Sequence, residues 1–442
     1  MRGGRSHLQR SAILAFGIAG LMLNIWIAWN LFLRGAGTGR NDFTSFYGGA
    51  ALAGTPDLYN PTKVSELQLR VTGERTSEAE KFVRLPCYAI FLKPLAWLPY
   101  PTAYLIWELL STAALVAALL LWPGQSATTK WLTFCWMLPI FVALFNGQDD
   151  SLVLFWIALA ANLSHRERPL TAGMALAMAA SKYHLLVLIP LVIVAQRRWR
   201  MAAGTAMAGG ALIAVSFLSA GLDWPWRYFA LLADSRLIPN SHIMPSLWAN
   251  FKNMRFGIEF EMLAAIVLAA VIYRVARLDR SFERPLGLAL VGGILLSLHC
   301  WLADCTLVLP AIMISVHRAA RYARFPSFAL LTPVPWFLLH LPPPLPVAAR
   351  VLLVLLVLAG LLDSELSSGS RRFLSTRSTR FAAKGITMVK MAAHHMSQMG
   401  AAASSRGARR KERNQPAVMT APNASAGKRC SARVVAAWIA SA

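Results

Sequence analysis

Long apolar runs separated by short polar segments make up most of the chain. Six of these runs approach or reach the length of about 20 residues that crosses a bilayer as a helix. They occupy residues 11–33, 101–122, 201–220, 258–273, 325–341 and 347–362. The first run is too long for a cleaved signal peptide and lacks a small-residue cleavage site. The pattern predicts an all-α, polytopic membrane protein.

Several further apolar segments are too short for full spans. The pairs 131–146/151–163 and 286–299/302–316 are of this kind, and the run 171–195 has basic clusters at both of its ends. Because 25 residues at ~1.5 Å each cross a membrane only once, we expect two half-helices that turn near residues 181–184. Such broken helices occur where they are covered by protein or line a cavity. The total is about 12 membrane or re-entrant segments, within a range of 10–13.

Composition supports this prediction, and the distribution of charge predicts the orientation of the chain in the membrane. The chain is 56% hydrophobic with a net charge of +24, from 44 basic and 20 acidic residues. Basic clusters mark cytoplasmic loops, so residues 1–10 are predicted to be cytoplasmic and both termini to lie inside. The membrane domain is then 11–363, with outer loops at 34–85 and 221–257. The segment 364–442 holds 14 Lys/Arg against two Glu, about half of the excess charge, so no nucleic-acid partner is predicted.

The segment 364–442 has no apolar periodicity and is rich in Ser, Ala, Arg and Met. It is predicted to be a disordered cytoplasmic tail. Its composition and abrupt onset also fit a frame-shifted translation of a GC-rich gene.

The sequence contains no motif that points to a cofactor. The five cysteines form no CxxC pair or other zinc spacing, and no P-loop, GxGxxG, HExxH or GxSxG motif occurs in a fitting context. We therefore predict no metal site and no cofactor, although the sequence leaves a divalent metal open.

Asp42 is the second residue of the stretch "NDFTSFYGGAALAGTPDLY", which follows the first span. The helical spacing of its apolar and small residues predicts an amphipathic helix lying on the membrane surface. The aspartate can be the N-cap of that helix, or a carboxylate that accepts a proton from a substrate hydroxyl at the water–lipid boundary.

Three other polar groups interrupt apolar sequence. The segment 146–150, Asn-Gly-Gln-Asp-Asp, is either a polar outer turn or a site that offers its two amides and two carboxylates to the first loop. Lys182 and His184 lie within the broken hairpin, where a buried lysine needs water, an acid or a phosphate as its partner. His299 and Asp304 are either an inert hydrogen-bonded couple or help to hold a phosphate or pyrophosphate group.

Four stretches together resemble glycosyltransferase family 87 of the GT-C superfamily. They are "DFTSFYGGAALAGTPDLYNP", "FLKPLAWLPYPTAYLIWELL", the segment from "NGQDD" through "SKYH" to "QRRWR", and "SLHCWLADCTLVLPA". The resemblance covers residues 10–362. The chain departs from the family pattern at Leu85-Pro86-Cys87, where Tyr-Pro-Pro is usual, and at Asp150, where Asn is frequent.

The resemblance implies a GT-C-like bundle that transfers a hexose, typically mannose, from a polyprenyl-phosphate sugar to a lipid or glycan acceptor. It implies inversion at the sugar and a first-loop aspartate as general base, a role that passes to Asp42. Lys182, His184 and His299 are the candidates for the donor phosphate. Tyr47, Gln148, Asp150 and Asp304 are further candidate site residues.

By the same resemblance, we expect a multi-pass protein of the bacterial plasma membrane with its active site facing outside or the periplasm, in contact with membrane lipids. Two alternatives from other classes remain. One is a transporter or lipid flippase of envelope precursors, in which Lys182 and His184 line a midplane path. The other is a non-catalytic subunit of an envelope-synthesis complex.

Overall fold

The computed structural model describes residues 2–31, 41–73, 81–234, 243–318, 321–342 and 344–367. The chain divides into one unit at Met1–Ser364 and a second at Glu365–Ala442, and only residues 365–367 of the second are described. The described residues form helices and connecting loops, without a strand. The predicted all-α class is confirmed.

Nineteen α-helices are found among the described residues. In chain order they are α1 (Arg2–Leu31), α2 (Phe43–Ala51), α3 (Pro61–Thr72), α4 (Pro86–Leu92), α5 (Tyr100–Leu121), α6 (Ala127–Trp136), α7 (Leu138–Phe145), α8 (Asp150–His165), α9 (Pro169–Met178), α10 (Ile189–Ala195), α11 (Trp199–Ala220), α12 (Trp224–Leu232), α13 (Trp248–Phe251), α14 (Gly257–Leu278), α15 (Glu283–Leu296), α16 (Leu309–Arg318), α17 (Arg321–Leu331), α18 (Val334–Leu338) and α19 (Val347–Ser367). Short 3₁₀ segments occupy Pro56–Tyr59, Lys93–Trp97, Ala179–Leu185 and Ala303–Val308.

Four of the described helices are long and apolar enough to cross a membrane. They are Ser11–Asn30 of α1, Tyr100–Leu121, Trp199–Ala220 and Val347–Glu365 of α19. A fifth span is possible if α6 and α7, which meet at a 65° bend, are counted as one. The chain is therefore a polytopic helical membrane protein. The other segments among the predicted 10–13 are short, broken or more polar helices.

The run predicted at 325–341 is not a single helix. The structure divides it into α17, which ends at Leu331, and α18, which begins at Val334. Pro333 and Pro335 lie at this break. Proline lacks a backbone N–H and its ring collides with the preceding turn, so it begins a helix more readily than it continues one.

The run 171–195 is divided into two short helices, as predicted. Its two short helices, α9 and α10, are joined through the 3₁₀ segment Ala179–Leu185. Within that segment Lys182 leaves helical geometry, with φ −118° and ψ 47°. The break therefore falls at the polar residues where it was predicted.

Glycines allow α9 and α11 to approach closely. A Cβ at Gly173 would lie 2.0 Å from the Met201 carbonyl oxygen, and a Cβ at Gly204 would lie 2.0 Å from the Leu170 carbonyl oxygen. Small residues at such crossings bring backbones together in membrane helices.

The apolar face of the helix that follows Asp42 packs against protein, and not against the membrane surface as predicted. Phe43 and Phe46 of α2 are 0% and 3% exposed, and the Phe82 ring covers the position of a Cβ on Gly49. Protein therefore surrounds most of α2. The apolar spacing identified a buried face correctly, but it does not distinguish burial against protein from burial against lipid. The exposed polar face belongs to α3, where Lys63, Glu66 and Arg70 are exposed.

The two predicted outer loops and the predicted tail fall partly outside the described residues, and in the first outer loop the residues outside are 34–40 and 74–80. Helix α19 continues to Ser367, a few residues past the predicted boundary at 363, and the rest of the tail, 368–442, is not described. In the second outer loop, the described residues form α12 and α13, and residues 235–242 lie outside the description.

Candidate active site

The candidate site is built around the turn between α7 and α8. The Gly147 N–H donates to the Leu144 carbonyl and the Gln148 N–H to the Ala143 carbonyl, both at 2.9 Å. This pair of bonds is the Schellman ending of a helix, which requires a left-handed residue just past the cap. Gly147 supplies it, with φ +68°. The Asn-Gly-Gln sequence thus ends α7 and turns the next residues back.

This turn packs directly on the start of α2. The Asp42 N–H donates to the Asn146 carbonyl at 3.0 Å, and the Trp107 indole donates to the Gly147 carbonyl at 2.8 Å. A Cβ on Gly147 would lie 2.7 Å from the Phe43 Cβ. Both the conformation and the close contact therefore require glycine at position 147.

Asp42 lies at the N-cap position of α2, but its side chain makes no capping hydrogen bond. Instead its Oδ2 accepts hydrogen bonds from the side-chain amides of Asn146 and Gln148. Its Oδ1 accepts none from any described residue and is not a buried orphan atom. Of the two interpretations of Asp42, the geometry disfavours the cap.

Burial is the main influence on the Asp42 carboxyl and raises its pKa to about 6. The Gln148 hydrogen bond and the charge of Lys182 act in the opposite direction, Asp304 adds to the rise, and Arg84 lowers the pKa. A carboxyl that titrates near neutrality is suited to accepting a proton in catalysis.

Lys182 lies at the centre of a buried charge cluster. Its Nζ donates to Asp304 Oδ1 at 2.6 Å, to Asp150 Oδ1 at 2.7 Å and to Gln148 Oε1 at 3.3 Å. Asp149 Oδ1 lies 3.4 Å away. The sequence places no acid close to this lysine, but the fold brings three carboxylates from two segments to it. Acids therefore satisfy the requirement for a partner, and the predicted contact with a phosphate stays a prediction.

Arg84 closes the cluster from the first loop. Its Nε and Nη2 donate to the two oxygens of Asp149 at 3.0 and 2.9 Å. Such a bidentate pair is the strongest geometry for an arginine and a carboxylate. Burial would raise the pKa of Asp149, but Arg84 and Lys182 together hold it below its usual range.

Asp304 is fixed by the backbone as well as by Lys182. Its Oδ2 accepts from the Trp301 N–H at 2.6 Å, at the entry to the 3₁₀ segment Ala303–Val308. The hydrogen-bonded couple considered for His299 and Asp304 is not formed. Asp304 binds Lys182, and the His299 ring packs edge-on against Trp301 at 5.8 Å.

The two histidines lie within electrostatic reach of the cluster but outside its hydrogen bonds. His184 and His299 each interact with the charges of Asp304 and Lys182, and His184 also interacts with His299. Neither ring hydrogen-bonds to a described residue. Tyr47 is tied elsewhere, because its hydroxyl donates to the Leu98 carbonyl at 2.8 Å.

Of the predicted site residues, the structure therefore joins five in one hydrogen-bonded network, namely Asp42, Gln148, Asp150, Lys182 and Asp304. The described residues contain no group of three or more His, Cys, Asp or Glu side chains arranged to hold a metal ion.

Arg84 was missed by the sequence analysis. The first outer loop carries seven Lys or Arg residues, and nothing in the pattern distinguishes Arg84 from the other six. Only the three-dimensional structure shows that it faces Asp149.

Comparison with known proteins gives one match. Residues 85–303 match the model of glycosyltransferase family 87, whereas no curated protein and no solved structure matches the chain. The matched region contains the Gly-Gln turn, Lys182, His184 and His299, while Asp42 precedes it and Asp304 directly follows it. The match confirms the family predicted from the four sequence motifs, and the function that this family carries is that of a membrane glycosyltransferase.

Proposed function

We propose that this chain transfers a hexose, in the first instance mannose, from a polyprenyl-phosphate sugar to a hydroxyl of a lipid or glycan acceptor. The transfer takes place at the outer face of a bacterial plasma membrane and inverts the configuration at the sugar. Asp42 is the general base.

The observation that carries the proposal is the state of the Asp42 carboxylate. It stands at a helix start without capping it, one of its oxygens is held by two amides, and the other is unused by the described residues. A carboxylate with one fixed and one open oxygen can take the proton of an acceptor hydroxyl as that oxygen attacks the sugar. Its raised pKa brings its proton affinity closer to that needed for this transfer.

The donor phosphate is assigned to the side of the site that holds His184 and His299. Both imidazoles have ring nitrogens without a hydrogen-bond partner among the described residues, and a neutral imidazole donates one N–H. Lys182 adds positive charge near this side of the site, since it acts electrostatically on both rings. Donors aimed at a leaving phosphate stabilise the charge that develops there.

The orientation follows from the charge pattern. The basic clusters favour a cytoplasmic amino terminus, which supports an external position for residues 34–85 and for Asp42. An acceptor hydroxyl then reaches the base from the periplasmic or external side.

The test is sugar transfer by the protein purified in lipid and supplied with a panel of labelled polyprenyl-phosphate sugars. We expect transfer from the mannose donor with the wild type and a loss of at least about a hundredfold with Asp42→Asn, because base catalysis contributes roughly 10²–10⁴. Asp57→Asn is the matched control, since Asp57 lies in the same loop and its carboxylate accepts a hydrogen bond from the nearby Asn60.

Full activity of Asp42→Asn would remove the assignment of the base. If the wild type transfers no sugar but moves a labelled lipid or solute across a proteoliposome membrane, the chain is a transporter and the proposal is wrong.

A further inference from the structure

Gln148 is bound at both ends of its side-chain amide. Its Oε1 accepts from the Lys182 ammonium at 3.3 Å, and its Nε2 donates to Oδ2 of Asp42. An ammonium can only donate and an ionised carboxylate can only accept. The orientation of the Gln148 amide is therefore determined by its two partners.

The Lys182 end of this arrangement is held firmly. Lys182 is 2% exposed, and two shorter hydrogen bonds, to Asp304 at 2.6 Å and to Asp150 at 2.7 Å, fix its ammonium. The backbone break at Lys182 places that ammonium against the turn. Gln148 is thus anchored to a buried, immobile cation.

At the other end, Asp42 has two unequal oxygens. The Gln148 and Asn146 amides both donate to Oδ2, whereas Oδ1 receives no hydrogen bond from the described residues. The two amides therefore set the rotation of the carboxylate about its Cβ–Cγ bond.

We propose that Gln148 is a positioning residue for the Asp42 base: anchored on Lys182, it holds Oδ2 and leaves Oδ1 as the atom that accepts the proton. This inference rests on the proposed function. In the reaction the acceptor oxygen forms a bond to the anomeric carbon, its proton passes to Oδ1, and the bond from that carbon to the donor phosphate breaks with its electron pair on the phosphate.

The groups that act on the Asp42 carboxyl determine the direction in which its pKa shifts in the test. Lys182 and Arg84 favour its ionised form, Asp304 disfavours it, and the Gln148 N–H favours it. Loss of that N–H must raise the pKa of Asp42. A hydrogen bond to a charged group shifts the pKa of that group by about one to two units.

The experiment measures kcat/KM for sugar transfer between pH 5 and 9 with Gln148→Met and Gln148→Glu. Methionine keeps the length of the side chain but cannot donate, so the acidic limb is expected to move up by about one pH unit or more. Glutamate adds a second carboxylate beside Asp42, and like charges raise the pKa further. The pH at which the acidic limb occurs should therefore increase in the order wild type, Gln148→Met, Gln148→Glu.

Gln196→Met is the matched control. Gln196 is also partly buried, and it lies in a different loop. Its side-chain amide donates to the Asp279 and Ser281 carbonyls at 2.8 Å and accepts from Arg198 Nε at 2.6 Å. We expect this variant to alter stability at most and to leave the acidic limb in place. A uniform loss of activity in Gln148→Met with an unmoved limb would overturn the proposal and leave Gln148 a structural residue.

A second readout does not depend on sugar transfer. Carbodiimides react with protonated carboxyls, so the pH midpoint of Asp42 labelling, followed by peptide mass spectrometry, reports its titration directly. A shifted midpoint in Gln148→Met together with an inactive wild type would retain the positioning role and reject the proposed function. Unshifted midpoints in an active enzyme would reject the positioning role alone.

Discussion

The bidentate contact between Arg84 and Asp149 is expected to dominate the attachment of the first outer loop to the turn. Both side chains are almost fully buried, at 7% and 0% exposure, so removal of either one leaves a buried charge without its bidentate partner, and for Asp149 the longer ion pair with Lys182 at 3.4 Å is left. Breaking a buried pair in this way costs about 3–5 kcal/mol. This corresponds to a loss of roughly a hundredfold to several thousandfold in the folding equilibrium.

A double-mutant cycle measures this coupling. Arg84→Met keeps most of the aliphatic stem and removes the guanidinium, while Asp149→Asn removes the charge and keeps the shape. If the two costs were independent, the double variant would lose about 6–10 kcal/mol. We expect it to lose only about as much as one single variant, because the second substitution removes the charge that the first left unpaired.

The assay is unfolding by SDS in mixed micelles, followed by tryptophan fluorescence. The exposed pair Lys63–Glu66, at 3.2 Å on α3 of the same loop, provides the control cycle. Exposed helix pairs contribute about 0.2–0.5 kcal/mol, so Lys63→Met, Glu66→Gln and their combination should barely move the midpoint. Additive losses in the Arg84 and Asp149 cycle would refute the claim that this ion pair holds the loop to the turn.

Three shorter predictions follow from the same geometry. Because Asp42 must be ionised to act and its pKa is raised to about 6, kcat/KM should fall about tenfold per pH unit below pH 6. The folded protein keeps the proton more tightly than the unfolded chain, so the contribution of this group to stability decreases as pH rises from about 4 to 6. A pH–rate profile with no acidic limb near pH 6 would contradict the first statement. Gly204→Ala should cost about 1–3 kcal/mol by overpacking against α9, whereas Gly210→Ala on the same helix meets nothing within 4 Å and should be neutral in the same SDS assay. Gly147→Ala places a Cβ against Phe43 at a positive φ, so it should lower both stability and transfer, and equal activity to wild type would show that the turn does not support Asp42.

The sequence was sufficient for features that depend on local pattern. Apolar run length predicted the four helices that are long and apolar enough to cross a membrane, although two of the six predicted runs are not among them. Basic clusters at both ends of a 25-residue run predicted the break at Lys182. The Asn-Gly-Gln turn could also be recognised, because a glycine after an apolar helix is the usual residue in a left-handed cap.

What the sequence could not supply was the set of partners. Lys182 and Asp304 are 122 positions apart, and no periodicity connects them. The burial of α2 was missed for a related reason, since an apolar helical face is the same whether lipid or the Phe82 ring covers it. Which charged side chains form a pair, and which residues cover an apolar helix face, depend on the tertiary topology. A single sequence does not display that topology.

The buried charge cluster also sets an order of events while the chain is being made. Asp150 precedes Lys182 by 32 positions, whereas Asp304 follows it by 122. At synthesis rates of about 5–20 residues per second, the lysine exists for roughly 6–24 s before Asp304 is made. During that interval Asp149 and Asp150 alone can compensate it. The three-carboxylate arrangement is therefore assembled from an early half and a late half, and any nascent chain shorter than 304 residues carries an incomplete site.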